Sequence, residues 1–151
     1  MRVDKFNPIQ TQVFNTLYNM NDNVFVGASR KTICAEFTLL RLWSKPNNGC
    51  CVYIALFQEV VDLQVAQWRQ KFGKIQGGKN MVALTGETSA DLRLLESGDV
   101  IFATPIQWDV MTHRWKQRKN VQNVALFIAD ELHLIGSDVG PTYEIIVSRM
   151  R

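Results

Sequence analysis

The chain has 151 residues, enough for one domain and one real core but short for two. With 46% hydrophobic and 21% charged residues it has the composition of an ordinary globular protein, which excludes disorder. Seventeen basic against fourteen acidic residues give a formal charge of +3, too mild to imply nucleic-acid binding by itself although it permits a local basic patch.

In chain order, Asn7-Pro8 opens a helix, with proline where its missing N–H costs nothing, and Ile9, Val13, Phe14 and Leu17 form the apolar stripe. Val24-Phe25-Val26 reads as a buried strand ending in Gly27-Ala28. A second helix runs from about Lys31 to Trp43 with Ile33, Phe37 and Leu40 inward, and 46–49 is a turn. The segment 51–56 is continuously apolar, as parallel strands covered on both faces are. A helix over about 58–72 follows, closed by Gly73. Then come a strand at 81–84, a short helix capped by Ser89 and stopped by Gly98, and a strand at 100–103. Thr104-Pro105 starts the next helix, 124–129 is the last strand, and a final helix begins near Pro141. Repeated strand–helix alternation predicts one α/β domain, a mainly parallel sheet with helices on both faces.

Cys34, Cys50 and Cys51 are odd in number and include no C-x-x-C pair, so they read as buried or inert thiols. His113 and His133 lie far from them in sequence, and a metal held by side chains alone is not expected. No apolar run reaches the roughly 20 residues that cross a bilayer. Met1-Arg2-Val3-Asp4-Lys5 lacks the apolar segment of a secretory leader, so no membrane role is expected.

In open parallel sheets, ligands lie beyond the carboxyl ends of the strands. After the first predicted strand comes Gly27-Ala28-Ser29-Arg30-Lys31-Thr32, and after the last comes Asp130-Glu131-Leu132-His133. A lysine and a threonine at a helix start suit phosphate and magnesium. Two acids at a strand tip suit metal binding and water activation. Either feature alone is more often a solvated strand or helix end. Their joint occurrence on one sheet is what makes them a candidate site.

Along its whole length the chain resembles the first RecA-like domain of superfamily-two DExH RNA helicases, and within them the C-terminal cassette of the large two-cassette spliceosomal helicases. The resemblance is carried by 6–14, Asp22 to Ala28, Lys31 to Phe37, Leu84-Thr85-Gly86-Glu87-Thr88, Ala103-Thr104-Pro105 with Trp108-Asp109, 115–123, Asp130-Glu131-Leu132-His133 and 146–150. It implies a RecA-like P-loop NTPase fold spanning 1–151, with ATP and magnesium as cofactors. Gln10 would read the adenine edge, Gly27 and Ala28 would open the phosphate loop, Lys31 would meet the phosphates, and Thr32 and Asp130 would serve the metal. Glu131 would orient the attacking water, and His133 would couple the site to a second RecA-like domain. Gly86, Thr88, Thr104 and Pro105 match motifs that grip RNA phosphates rather than bases. RNA, spliceosomal proteins and that second domain are the implied partners, and the nucleus the implied location.

The chain departs from the family at three places. The usual Gly-Ala-Pro-Thr-Gly-Ser-Gly-Lys-Thr loop is three residues shorter here and lacks both interior glycines. A phosphate loop wraps consecutive backbone N–H groups around an anion, and glycines let the backbone bend that closely. Ser29-Arg30 cannot make that wrap, so ATP binding is expected to be lost or weak. The alternative is a competent RNA-dependent ATPase whose written sequence lacks three loop residues. The usual proline after the second strand is missing from Ala55-Leu56-Phe57-Gln58-Glu59, and Ile106-Gln107 stands where Glu-Lys is usual. The resemblance also places a coupling motif and the second domain beyond residue 151, so this polypeptide alone is expected not to turn over ATP. The segment Arg114-Trp115-Lys116-Gln117-Arg118-Lys119 offers two readings: charges and a ring that grip single-stranded RNA through Arg118 and Lys119, or a solvated helix end.

Overall fold

The structure is a computed structural model that describes residues 8–27, 31–46, 49–138 and 140–150, apart from the side chains of Gln76 and Trp115. It divides into two units, Met1–Asn48 and Gly49–Arg151.

The first unit holds α1 (Pro8–Asn19) and α2 (Thr32–Ser44), which pack together. Leu17, Cys34 and Phe37 form its core, with Val13, Val26 and Ile33 against them. Arg41 donates to the Met20 carbonyl and, at 2.6 Å, to Asn21 Oδ1, pinning the chain after α1 to α2. Two expectations change here. The predicted stripes hold in part: Val13, Leu17, Ile33 and Phe37 face the core, whereas Ile9, Phe14 and Leu40 are exposed and Gln10 and Cys34 are buried. Val24-Phe25-Val26 is not a strand: residues 20–27 carry no regular structure and Phe25 is 73% exposed. Three apolar residues are too few to specify a strand without a partner ladder, and here Val26 goes to the helical core instead.

The second unit is a four-stranded, wholly parallel sheet in the order β2-β3-β1-β4, from β1 (Cys50–Ile54), β2 (Met81–Ala83), β3 (Val100–Ala103) and β4 (Val124–Ala129). Between them run α3 (Gln58–Phe72), α4 (Thr88–Ser97), α5 (Pro105–Thr112) and the one-turn α6 (Lys119–Gln122), and α7 (Gly140–Arg149) closes the unit. Alternation along the strands separates two faces. Val52, Ile54, Val82, Ile101 and Ala103 pack with Leu95, Trp108, Met111, Tyr143 and Ile146 of α4, α5 and α7. On the other face the Trp68 ring of α3 meets Tyr53 and Phe102 edge-on, with centroids 5.3 and 5.5 Å away. Helices therefore cover both faces of a parallel sheet, as the alternation predicts, and the buried runs of β1 and β3 follow from that coverage.

Helix starts follow local chemistry. Thr104 caps α5 in a full capping box: Gln107 N–H donates to its hydroxyl and Gln107 Oε1 accepts from its amide. At α4 the cap position is Glu87, not Ser89, which is the second residue of the helix. Gly73 and Gly98 do end α3 and α4, but with negative φ. Their reason is close approach, since a Cβ on Gly98 would stand 2.6 Å from Val82 Cγ2 and one on Gly73 2.5 Å from the Arg69 carbonyl.

Candidate functional site

The strand register decides what meets at the carboxyl edge of the sheet. Ile54 of β1 pairs with Ala103 of β3 and with Ala129 of β4. Thr104 and Asp130 therefore leave the sheet at the same level, on either side of Ala55. The Asp130 amide donates to the Ile54 carbonyl at 3.0 Å, and the Ala55 amide to the Ala103 carbonyl at 3.1 Å, so the ladder continues one residue beyond the strands.

Asp130 is held from three directions. The Tyr53 hydroxyl on the neighbouring strand donates to Oδ2 at 2.7 Å, the Glu131 amide donates to Oδ1 at 2.9 Å, and the Tyr143 hydroxyl of α7 donates to its backbone carbonyl. Both tyrosines are almost fully buried. Desolvation first, and the nearby Asp130 charge second, push both phenols well above their ordinary range, so they stay protonated donors. Glu131 sits in the left-handed region (φ 54°), rare for a residue with a Cβ, at the position just before the 3-10 turn Leu132–Gly136. That bend ends the strand and turns the acid out of line with it; His133 Nδ1 lies 3.3 Å from Glu131 Oε2, with both side chains partly exposed. Tyr53 and the Glu131 amide each bind one oxygen of the Asp130 carboxylate. Its hard oxygens, fixed at a strand tip, are the donor type magnesium takes alongside water and substrate phosphates.

The same edge carries two further loops. After β2, the Leu84 amide donates to the Phe102 carbonyl and the chain then turns through an exposed Thr85-Gly86-Glu87-Thr88, with Gly86 at φ +90°. After β3 comes the Thr104–Pro105 corner. There Gln107 Nε2 donates to Gln58 Oε1 at 2.9 Å, tying the starts of α3 and α5 together.

The predicted site residues fall into three groups. Gly86, Thr88, Thr104, Pro105, Asp130, Glu131 and His133 share the carboxyl edge of the second unit. Gln10, Gly27, Lys31 and Thr32 belong to the first: Gln10 is buried in α1, Gly27 is exposed, and Lys31 and Thr32 begin α2. Ala28, with Ser29 and Arg30, lies outside the described residues. Arg118 and Lys119 stand just before β4, at the opposite edge of the sheet, a strand length from Asp130. Arg118 there donates to the Met111 carbonyl at 2.7 Å, closing the turn after α5.

Sequence reasoning missed Tyr53, Tyr143, Asp91 and the Gln58–Gln107 pair. Tyr53 carried a usable signal, a polar tip in an otherwise apolar strand whose carboxyl end faces the acids. Tyr143 and Asp91 carried none, because their partners are set by tertiary packing.

The second unit is thus a parallel α/β sheet covered on both faces, with an Asp-Glu pair at one strand tip and glycine- and threonine-bearing loops beside it. The family model for DEAD/DEAH box helicases matches residues 7–151. The chain belongs to the DEAD/DEAH box helicase family. It is 55% identical over 149 residues to the U5 small nuclear ribonucleoprotein 200 kDa helicase of Homo sapiens, 50% identical over 149 residues to the pre-mRNA-splicing factor brr2 of Schizosaccharomyces pombe, and 55% identical over 151 residues to the DExH-box ATP-dependent RNA helicase DExH12 of Arabidopsis thaliana. Each alignment covers 97% of this chain and 7% of the relative's length, so the chain spans a small part of those proteins. A crystal structure of the DUF1998 helicase MrfA superposes with a TM-score of 0.73 over 97% of this chain and 24% of that one, at 15% identity, a likeness of fold.

Proposed function

We propose that this chain is the ATP-binding-type domain of a spliceosomal DExH-box RNA helicase, a degenerate cassette that acts in the nucleus as a regulatory and protein-interaction module of pre-mRNA splicing. The observation that carries the reading is Asp130, fixed at the tip of β4 by two buried tyrosines and followed by a left-handed Glu131. The similarity to relatives named for splicing and for the U5 particle supports the biological setting. RNA and splicing-complex proteins are the partners this reading assigns.

In this reading Lys31 would meet the phosphates of a bound nucleotide, Thr32 and Asp130 would serve the magnesium ion, and Gln10 would read the adenine edge. When bound, the metal neutralises phosphate charge. The chain's own residues do the rest. Tyr53 and the Glu131 amide hold the Asp130 carboxylate against rotation. Glu131, bent out of the strand, accepts a hydrogen bond from a water and aims it, and His133 beside it transmits the state of the site to a second RecA-like domain. Gly86, Thr88, Thr104 and Pro105 receive the RNA backbone, which carries no base information and makes the interface sequence-tolerant. The glycine-poor Gly27-Ala28-Ser29-Arg30-Lys31-Thr32 segment is the reason for the degenerate assignment.

Calorimetric titration of the chain with ATP and magnesium tests this. No saturable heat in the micromolar range is expected, and a variant with Gly-Ala-Pro-Thr-Gly-Ser-Gly-Lys-Thr restored at 27–32 is expected to bind. Micromolar affinity of the unaltered chain would overturn the degenerate reading in favour of a competent ATPase domain.

A further inference from the structure

We infer that Asp91 is the positioning residue that sets the 85–88 loop for a phosphodiester backbone; the inference rests on the reading above that Gly86 and Thr88 meet RNA. Its carboxylate is 1% exposed, beneath a loop whose four residues are all exposed. Oδ1 accepts from the Thr85 amide at 2.7 Å and from the Thr85 hydroxyl at 2.8 Å, and Oδ2 accepts from the Gly86 amide at 3.0 Å. The Thr85 oxygen in turn accepts from the Glu87 amide at 3.2 Å, which carries the constraint to the residue before Thr88. Three donors converge on one buried anion, and charge-assisted bonds of this kind are the strong ones.

The arrangement has a specific chemical consequence. The amides of Thr85 and Gly86 are turned inward to Asp91, so Thr88 supplies the loop's donor to a phosphate, and Gly86, having no side chain, only lets the backbone come close. Gly86 is free to take φ +90° because it has no Cβ, and Asp91 is what holds it there. An asparagine at 91 has the same shape but must turn an NH2 toward a backbone N–H, on one side or the other. It therefore loosens the loop without emptying the space.

Fluorescence-anisotropy titration of the 151-residue chain with a labelled single-stranded oligouridine RNA, at several salt concentrations, tests the inference. Asp91→Asn is expected to weaken binding about tenfold while leaving the salt slope unchanged, because a contact made by a neutral threonine releases no counterion. Thr88→Ala is expected to do the same, and the double variant to be no weaker than either single one, an outcome that a general loss of stability would not produce. Thr85→Val, which removes one donor and keeps the acid, is expected to lose about threefold and carries the test if Asp91→Asn does not fold. If the unaltered chain does not bind, or Thr88→Ala binds unchanged, the RNA reading of the loop fails and takes the inference with it. If Thr88→Ala weakens binding while Asp91→Asn and Thr85→Val do not, or if the losses at 88 and 91 multiply, Asp91 does not position this loop and the inference alone falls.

Discussion

Asp130 depends on its neighbours more than its place in the sequence suggests. Its strand tip is anchored by one phenol from β1 and another from α7, so three elements converge on one residue. Tyr53→Phe removes the hydroxyl and leaves the Asp130 carboxylate short of a partner next to an apolar layer. A hydrogen bond to a charged group contributes about 1.5–3 kcal/mol, and urea unfolding of that variant is expected to show a loss in this range. Loss below about 0.5 kcal/mol would show the bond to be idle. Gly86→Ala tests backbone conformation, because a Cβ there meets nothing within 4 Å and only the φ of +90° penalises it. A cost of about 1–2 kcal/mol is expected, in line with left-handed backbone carrying a side chain. The cysteines make a third case. All three are buried and free, and burial pushes Cys50 up to about 11 and Cys34 and Cys51 upward. Disulfide-exchange labelling at pH 8 is expected to leave all three largely unmodified in the native chain and to modify them in denaturant; rapid native labelling would contradict the burial.

The elements show where the chain spells out its own structure and where it does not. β1, β3 and β4 are apolar runs bounded by turn residues, and their periodicity alone places them. α5 announces itself through Thr104-Pro105, and the structure adds Gln107, which completes the cap and reaches across to Gln58. The place of the family's lysine is thus taken by an amide that joins two helix starts. The 24–26 run shows the limit of pattern reading: apolar content is a demand for burial, not for a strand, and Val26 meets that demand among helices. On α1 and α2 the predicted Val13, Leu17, Ile33 and Phe37 do face the core, while Ile9, Phe14 and Leu40 at the margins of those broad stripes are exposed. Arg118 was legible as a charge, yet its bond to the Met111 carbonyl depends on a turn that no local pattern encodes. Arg118→Ala is expected to lower the urea midpoint while leaving RNA affinity within about twofold; a tenfold fall in RNA affinity at unchanged stability would show that its charge serves RNA instead.

Over the whole molecule, buried neutral acids set the response to alkali. The folded state keeps Tyr53, Tyr143 and the thiols protonated, whereas the unfolded chain releases those protons at ordinary values, near 8.5 for thiols and 10 for phenols. The unfolded state therefore binds fewer protons above about pH 8.5, and stability falls as pH rises. Urea midpoints are expected to be flat from pH 7 to 8.5 and to decline from about 9 to 11, less steeply in Tyr53→Phe; a midpoint that held to pH 11 would contradict the burial of these groups. The central claim concerns the nucleotide, and a ligand that binds only the folded state raises the urea midpoint. Urea unfolding with and without millimolar ATP and magnesium tests it most directly. The account predicts no shift in the unaltered chain and a rise once Gly-Ala-Pro-Thr-Gly-Ser-Gly-Lys-Thr stands at 27–32; a rise in the unaltered chain would contradict it.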